Sequence, residues 1–461
     1  MTTQAFSTLP LKAELLSTLT DIGYTEMTPI QAQSLPAIID GKDVIGQGKT
    51  GSGKTAAFGL GLLNRLNVKR FRVQSLVLCP TRELADQVAI ELRKLARGIH
   101  NIKILTLCGG VPMGPQIGSL EHGAHIIVGT PGRILDHLDK GRLSLEEVNT
   151  LVLDEADRML EMGFQPALDA IFQDMPANRQ TLLFSATFPT QIQSISRQIM
   201  TAPVMVKVES NHDSSSISQH FYECNSNKDK MRALQLLLLK HQPESAVVFC
   251  NTKRDVKDVA AVLDNEGFSV VALHGDLEQR DRDQMLLKFA NKSVTVMVAT
   301  DVAARGLDIE ALDAVINYDM AFDTEVHIHR IGRTGRAGSE GAAHTFFGKE
   351  DGYKIALLQD YLNHDIKGEA LPDDSAMNNM PRTPLMTTLH IEAGKKNKVR
   401  PGDILGALTG DDGIQGSEVG KIKVTDYRSY VAVKRNVAKH ALNKLSSGKI
   451  KGRTYRVWQL R

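Results

Sequence analysis

Short, continuously apolar runs recur along most of the chain, and each is followed by a stretch of helical periodicity. SLVLCP (75–80), HIIVGT (125–130), LVLD (151–154) and TLLFSAT (181–187) set the pattern. AVVFCNT (246–252), VVALHG (270–275), VTVMVAT (294–300) and AVINYD (314–319) repeat it. A strand with no polar side must be buried on both faces, which a parallel sheet covered by helices provides. The pattern restarts near Ser218, after the polar stretch ESNHDSSSIS (209–218), whose composition predicts a loop. The chain is therefore expected to be α/β, with two doubly wound parallel-sheet domains over 1–208 and 217–365. A single sheet would need more than about ten strands, more than twisted open sheets usually hold.

A second break, GEALPDDSAMNNMPRTP (368–384), predicts a linker over 366–385. Beyond it the elements shorten: a strand (388–393), a helix (401–408), two strands (421–425 and 429–434), a helix (436–445) and a strand (454–460). The order βαββαβ predicts a small C-terminal α+β, ferredoxin-like domain over 386–461. That class includes RNA-recognition-type domains and many that bind no RNA, so the order alone leaves function open. Charge sets this segment apart. The 461-residue chain has 55 Lys+Arg against 53 Asp+Glu, a net of +2. Residues 386–461 hold 16 basic and 6 acidic side chains (+10), leaving 39 against 47 (−8) in the first 385. A basic module on a mildly acidic body is expected to address a polyanion such as nucleic acid, with a solvated Lys-rich tail as the plain alternative.

A hydrophobic share of 42% and a charged share of 23% fit globular domains rather than disorder. No apolar run approaches the ~20 residues needed to cross a bilayer, and the start MTTQAFSTLP lacks the pattern of a secretory signal. Cys79, Cys108, Cys224 and Cys250 are too widely spaced for a zinc site or a disulfide framework, and fit a reducing compartment. The expectation is a cytoplasmic protein with no membrane and no zinc partner.

GKTGSGKT (48–55) has the spacing G-x-x-x-x-G-K-[ST] and lies between the apolar strand DVIGQ and the helical segment AAFGLGLL. In that setting backbone N–H groups and a helix N-terminus cradle the phosphates of a nucleotide, across Gly48, Lys49, Thr50, Gly51, Ser52, Gly53, Lys54 and Thr55. Lys54 would neutralise β/γ-phosphate charge and the Thr55 hydroxyl would bind Mg2+. LVLDEAD supplies the carboxylates: Asp154 to hold Mg2+, and Glu155 to take a proton from the attacking water. Alone, that tetrapeptide could be an acidic helix start. HRIGRTGR (329–336) places Arg333 and Arg336 in the second α/β domain. They reach a γ-phosphate only if the two domains close on it, and arginine fingers contribute about 10³–10⁵ in rate.

With these motifs in place, residues 1–365 resemble a DEAD-box ATP-dependent RNA helicase. The segments come in family order: GYTEMTPIQ (23–31) with Phe6 upstream, the phosphate loop, PTRELA (80–85), Gly109-Gly110, TPGR (130–133), DEAD (154–157) and SAT (185–187). QRDR (279–282), ATDVAARGLD (299–308) and HRIGRTGR follow. The resemblance implies two RecA-like domains and assigns individual roles. Phe6, Tyr24 and Gln31 would contact adenine, Gln31 through a bidentate amide. Gly306 and Asp308 would meet the γ-phosphate and ribose. Ser185, Thr187, Asp157 and His329 would couple hydrolysis to domain closure. Arg82, Gly110, Thr130 and Arg133, with Arg282 and Thr300, would line a sugar–phosphate track that selects RNA through its 2′-OH without reading sequence. Met27 stands where the family usually has Pro, and Gly48 where Ala is commoner.

The C-terminal segment, with AGKKNKVRPGDILGALTG (393–410), resembles that of a subgroup of this family. In that subgroup an RNA-recognition-type domain docks on a hairpin of large-subunit ribosomal RNA. The resemblance implies a non-processive RNA-unwinding ATPase acting on pre-ribosomal particles in large-subunit assembly. His390 occupies the usual aromatic slot of the first strand, and the third strand has Tyr430 but Ala432 where a second ring is expected. Stacking contributes ~1–3 kcal/mol per base, so a ring-poor sheet must gain affinity elsewhere. The expected contacts are Lys395, Lys396, Lys398, Arg400, Lys449, Lys451 and Arg453 on loops, with Arg435 and Lys439 at the second helix. A flexible linker would hold this domain near the motor at roughly mM effective concentration. Two other functions stay open at this stage: an ATP-gated RNA clamp that does not unwind, and a DNA translocase. Strand-separation assays and replacement of RNA by DNA separate them.

Overall fold

In the computed structural model, which describes residues 4–48, 51–208, 217–304, 312–335 and 341–460, the apolar runs become buried strands. The first sheet holds β1 (Val44–Gln47), β2 (Ser75–Leu78), β3 (Ile104–Leu107), β4 (Ile126–Gly129), β5 (Thr150–Asp154), β6 (Gln180–Ser185) and β7 (Val204–Lys207). Their order is β3-β4-β2-β5-β6-β1-β7 and every pair is parallel. Strand alternation feeds two cores, one on each face. Leu182 and Phe184 of β6 enter one with Phe58 and Leu92, while Leu183 enters the other with Leu151 and Phe172.

The second sheet holds β8 (Ile217–Glu223), β9 (Ala246–Phe249), β10 (Val270–Leu273), β11 (Val296–Ala299), β12 (Ala314–Asn317) and β13 (Gly341–Phe347). It is also all parallel, in the order β10-β11-β9-β12-β13-β8. The third is antiparallel, in the order β15-β16-β14-β17, from β14 (Met386–Ile391), β15 (Val419–Val424), β16 (Ser429–Lys434) and β17 (Val457–Gln459). Helices Pro401–Thr409 and Ala438–Ser447 cover one face of it, over Leu389, Ile391, Val431 and Val433. That is the ferredoxin-like arrangement. The first sheet forms one compact unit, and the second and third together form another. Among the described residues no helix is long and apolar enough to cross a membrane.

Segment 366–385, expected to be a flexible linker, is pinned to the second α/β domain instead. Glu369 donates its N–H to Phe221 O at 2.7 Å, and Leu371 packs against that domain's core. Asn379 donates to Leu239 O and Arg382 to Gln242 O, at 3.2 and 2.7 Å, where the helix Asn227–His241 runs out of its own donors. Arg382 also pairs with Glu244 at 2.8 Å. The chain then enters β14, where Thr388 Oγ1 accepts from Asn291 Nδ2 at 3.1 Å and lies 2.6 Å from Ser293 Oγ. The C-terminal domain is thus seated on the second α/β domain rather than tethered to it.

This seating involves the sheet face opposite the C-terminal helices. Thr388, His390 and Ala432 on that face are 0%, 2% and 1% exposed. The face also holds more rings than expected. Trp458 of β17 pairs with His390, centroids 4.0 Å apart, and His390 stacks on Tyr430 at 4.8 Å. A row of three rings replaces the ring-poor sheet, but its central member is buried.

Candidate ATP and RNA site

Between β1 and the helix Lys54–Arg65, Gly51 and Gly53 adopt φ of +83° and +95°, left-handed conformations that side chains disfavour. A Cβ on Gly53 would also stand 2.5 Å from Gln31 Nε2. Glycine admits Gln31, which donates to Gly53 O at 3.0 Å and accepts from the Thr28 N–H at 2.8 Å. Gln31 therefore ties the start of the helix Pro29–Ile39 to the phosphate loop. Lys54 is 7% exposed and donates to Gly48 O. Among the described residues, Ser52 Oγ and Thr28 Oγ1 are buried with no hydrogen-bond partner. Unpaired buried hydroxyls cost about 1–3 kcal/mol each, and the polar edges of a nucleoside triphosphate would satisfy them. These residues fit ATP. Lys49 and Thr50 lie outside the described residues.

Met27 has a local reason for standing where Pro is usual. Its N–H donates to Gln4 O at 2.9 Å, a bond proline cannot make. Its side chain and Phe6, 5% and 3% exposed, join the first core. Tyr24 lies against the helix Arg82–Leu95: its hydroxyl donates to Glu91 (2.9 Å) and accepts from Lys94 (3.0 Å), whose ammonium sits 4.4 Å from the ring centre.

Asp154 closes β5 and is 3% exposed. Burial pushes its carboxyl up to about 7, Lys54 opposes that, and Glu155 adds to it. Glu155 has φ +51°, a strained conformation of the kind found at functional sites. Two residues on, Asp157 Oδ2 accepts from the Thr187 N–H (3.0 Å) and hydroxyl (2.9 Å). The Asp157 N–H reaches Ser185 Oγ at 3.4 Å, and Ser185 O accepts from the Gly48 N–H at 3.1 Å. One hydrogen-bonded chain therefore joins the phosphate loop, Asp157 and the SAT segment.

The other half of the same sheet edge carries the expected RNA track. Arg82 opens its helix after β2, with Thr81 Oγ1 accepting from the Leu84 N–H at 3.3 Å. Gly110 follows β3 with φ +72°. Thr130 precedes the helix Pro131–Asp139 after β4, and Arg133 donates to Val111 O at 3.3 Å. β3, β4 and β2 are neighbours, as are β5, β6 and β1, so nucleotide and track residues share the carboxyl ends of one parallel sheet. Two supporting residues gave no sequence signal. Gln116 donates to Cys108 O at 3.1 Å, and His137 Nε2 lies 3.2 Å from Gln116 Oε1, bracing the turn that holds Gly109 and Gly110. Both are buried.

In the second α/β domain, Arg282 donates to Ala303 O at 2.7 Å, and Thr300 Oγ1 accepts from the Ala303 N–H at 3.4 Å. His329 lies on the helix Thr324–Ile331 and Arg333 just beyond it, both partly exposed. Their neighbour Arg330, unremarked in the sequence, is 2% exposed. It binds Asp301 through two bonds of 2.7 Å, Asn251 at 2.8 Å and Asp319 O at 2.7 Å. This buried fork locks the helix carrying His329 to the ends of β9, β11 and β12. Gly306, Asp308 and Arg336 lie outside the described residues.

Residues 28–195 match the DEAD/DEAH box helicase family, 229–338 the helicase conserved C-terminal domain, and 388–459 the DbpA RNA binding domain. The chain belongs to the DEAD-box ATP-dependent RNA helicases, in the DbpA subgroup, and its two parallel-sheet domains are RecA-like. It is 55% identical to ATP-dependent RNA helicase DbpA of Escherichia coli (strain K12) over 454 residues, 98% of this chain and 99% of that one. To the DEAD-box ATP-dependent RNA helicase CshA of Geobacillus kaustophilus it is 47% identical, over 74% of this chain and 73% of that one. The structure of S. cerevisiae Dbp5 bound to RNA and ADP BeF3 superposes with a TM-score of 0.72 at 30% identity, covering 81% of this chain and 97% of that one.

Proposed function

We propose that this helicase separates short RNA duplexes non-processively and acts in the cytoplasm on pre-ribosomal particles. Its C-terminal domain would address it to a hairpin of large-subunit ribosomal RNA during assembly of that subunit. The observation that carries the reading is the concentration of charge, +10 over residues 386–461 against −8 elsewhere, in the segment that matches the DbpA RNA binding domain. The core's own track consists of backbone-binding groups that do not read sequence, so an address must come from elsewhere. The buried sheet face favours the basic loops and second helix, Lys395 to Arg400, Lys449 to Arg453, Arg435 and Lys439, as the RNA surface. The domain extents in this reading are 1–208, 217–365 and 386–461, with 366–385 as a strap.

At the hydrolytic site Thr55 and Asp154 would hold Mg2+, which supplies charge neutralisation at the phosphates when bound. Lys54 adds positive charge, and Glu155 takes the proton of the attacking water. Phe6 and Gln31 would face adenine, Gly306 and Asp308 the ribose and γ-phosphate side. Arg333 and Arg336 would complete the charge on domain closure, with Ser185, Thr187, Asp157 and His329 linking the two events. ATPase stimulation by fragments of ribosomal RNA, with and without residues 386–461, tests the address. The full chain is expected to prefer hairpin-bearing large-subunit fragments and the truncated chain to lose that preference. Equal stimulation profiles would contradict the reading.

A further inference from the structure

Three turns far apart in the sequence form one end of the C-terminal domain. The backbone N–H groups of Lys395 and Lys396 donate to Thr425 O and Asp426 O at 2.8 and 2.9 Å, laying the turn 394–399 along the tip of the β15–β16 hairpin. The approach requires glycine, since a Cβ on Gly394 would stand 2.3 Å from Thr425 O. From a third turn, Lys451 Nζ donates to Lys398 O at 3.0 Å. The end carries four basic residues between 394 and 400, three between 448 and 453, and Arg428 beside the hairpin tip, against Asp426 at the tip and Asp403, which accepts the Arg400 N–H at 2.8 Å and lies 4.0 Å from Lys451 Nζ. At that tip stands Tyr427, 68% exposed. No packing explains a large exposed ring there.

We propose that Tyr427 stacks on an unpaired base of structured RNA, so that this end holds backbone phosphates through its cations and selects a loop or bulge through its ring. The proposal rests on the RNA-addressing role argued above and names the feature that role would recognise. Cations bind paired and unpaired strands alike, whereas a ring stacks only on a base already splayed out. The sheet's own row of Trp458, His390 and Tyr430 has its centre buried and leaves that task elsewhere. The backbone bonds between the turns fix Tyr427 relative to Lys395 and Lys396, so little ordering cost remains at binding.

The test uses the full chain, an RNA stem–loop carrying 2-aminopurine in its loop, and a blunt duplex with the same stem, titrated over a range of salt. Wild type and Tyr427→Phe are expected to quench the loop probe. Tyr427→Ala should lose the quench and weaken stem–loop binding about 5- to 100-fold, with duplex affinity and salt dependence unchanged. The Lys395/Lys396/Lys398→Ala variant should weaken both RNAs and flatten the salt dependence by roughly two to three ions. Stem–loop binding by Tyr427→Ala within twofold of wild type, or equal loss on both RNAs, overturns the proposal. Normal stem–loop binding by the triple variant overturns the underlying address instead.

Discussion

Thr187 is bound twice to one oxygen of Asp157, through its N–H at 3.0 Å and its hydroxyl at 2.9 Å. The other oxygen accepts the Arg158 N–H at 3.0 Å, so a buried carboxylate spans the DEAD and SAT segments. Thr187→Val keeps the backbone bond and deletes the hydroxyl, whose bond to a charged acceptor contributes about 1.5–3 kcal/mol. Strand separation is expected to fall about tenfold or more, with nucleotide affinity changed less than about threefold. Parallel unwinding and nucleotide-binding titrations check this, and an unchanged unwinding rate would contradict the coupling role.

Asp154 predicts an exchange of stability for activity. Its folded carboxyl is raised to about 7 by burial, so the fold prefers the protonated form and loses stability as pH rises from about 4 to 7. Asp154→Asn removes that cost. Its melting temperature is expected to exceed wild type by several degrees at pH 8, with the gap closing near pH 4, while ATP hydrolysis is abolished. Differential scanning calorimetry at the two pH values measures the gap.

Acid sensitivity should be concentrated in the unit built on the second and third sheets. Burial, reinforced by His241 and His220, pushes His344 down to about 3, and burial also lowers His327 and His390 to about 4. A depressed histidine contributes stability that is present above its unfolded value of about 6.5 and is lost as pH falls toward the folded value. For His344, 3% exposed, the loss by pH 5 is on the order of 2 kcal/mol. Urea titrations at pH 7 and 5 should show a lower midpoint at pH 5, and His344→Gln should narrow the difference.

Arg330→Lys is expected to behave as a severe substitution despite its conserved charge. A lysine cannot reproduce the two bonds to Asp301 together with those to Asn251 and Asp319 O. Breaking a buried pair costs about 3–5 kcal/mol, and the helix bearing His329 would lose its anchor. Both the melting temperature and RNA-stimulated ATPase activity should fall, and loss of neither would contradict the positioning role.

Most central strands were legible because parallel strands covered on both faces must be apolar throughout; β13, GAAHTFF, lies inside its sheet but its small and polar residues hide it. β3, β7 and β8 were not legible, since they are sheet edges whose exposed positions interrupt the run, as in VMVK and ISQHFYE. The motifs point to the proposed nucleotide site, since phosphate chemistry demands fixed residue types at fixed spacing. Residues that act by bracing, such as Gln116, His137 and Arg330, have no such spacing and emerge only from burial and partners. Segment 366–385 read as a linker because its anchoring uses single side chains on helix-end carbonyls, which leave no periodicity. Trp458 has no signal in the sequence because register, not the local pattern, brings it beside His390.

The central claim is that hydrolysis at the Asp154–Glu155 site drives repeated separation of RNA strands, rather than gating a static clamp. Multiple-turnover strand separation of a short RNA duplex, by wild type and Glu155→Gln side by side, tests it directly. Wild type is expected to separate many duplexes per enzyme, and Glu155→Gln to stop at about one or fewer. Equal yields from the two proteins would contradict the account.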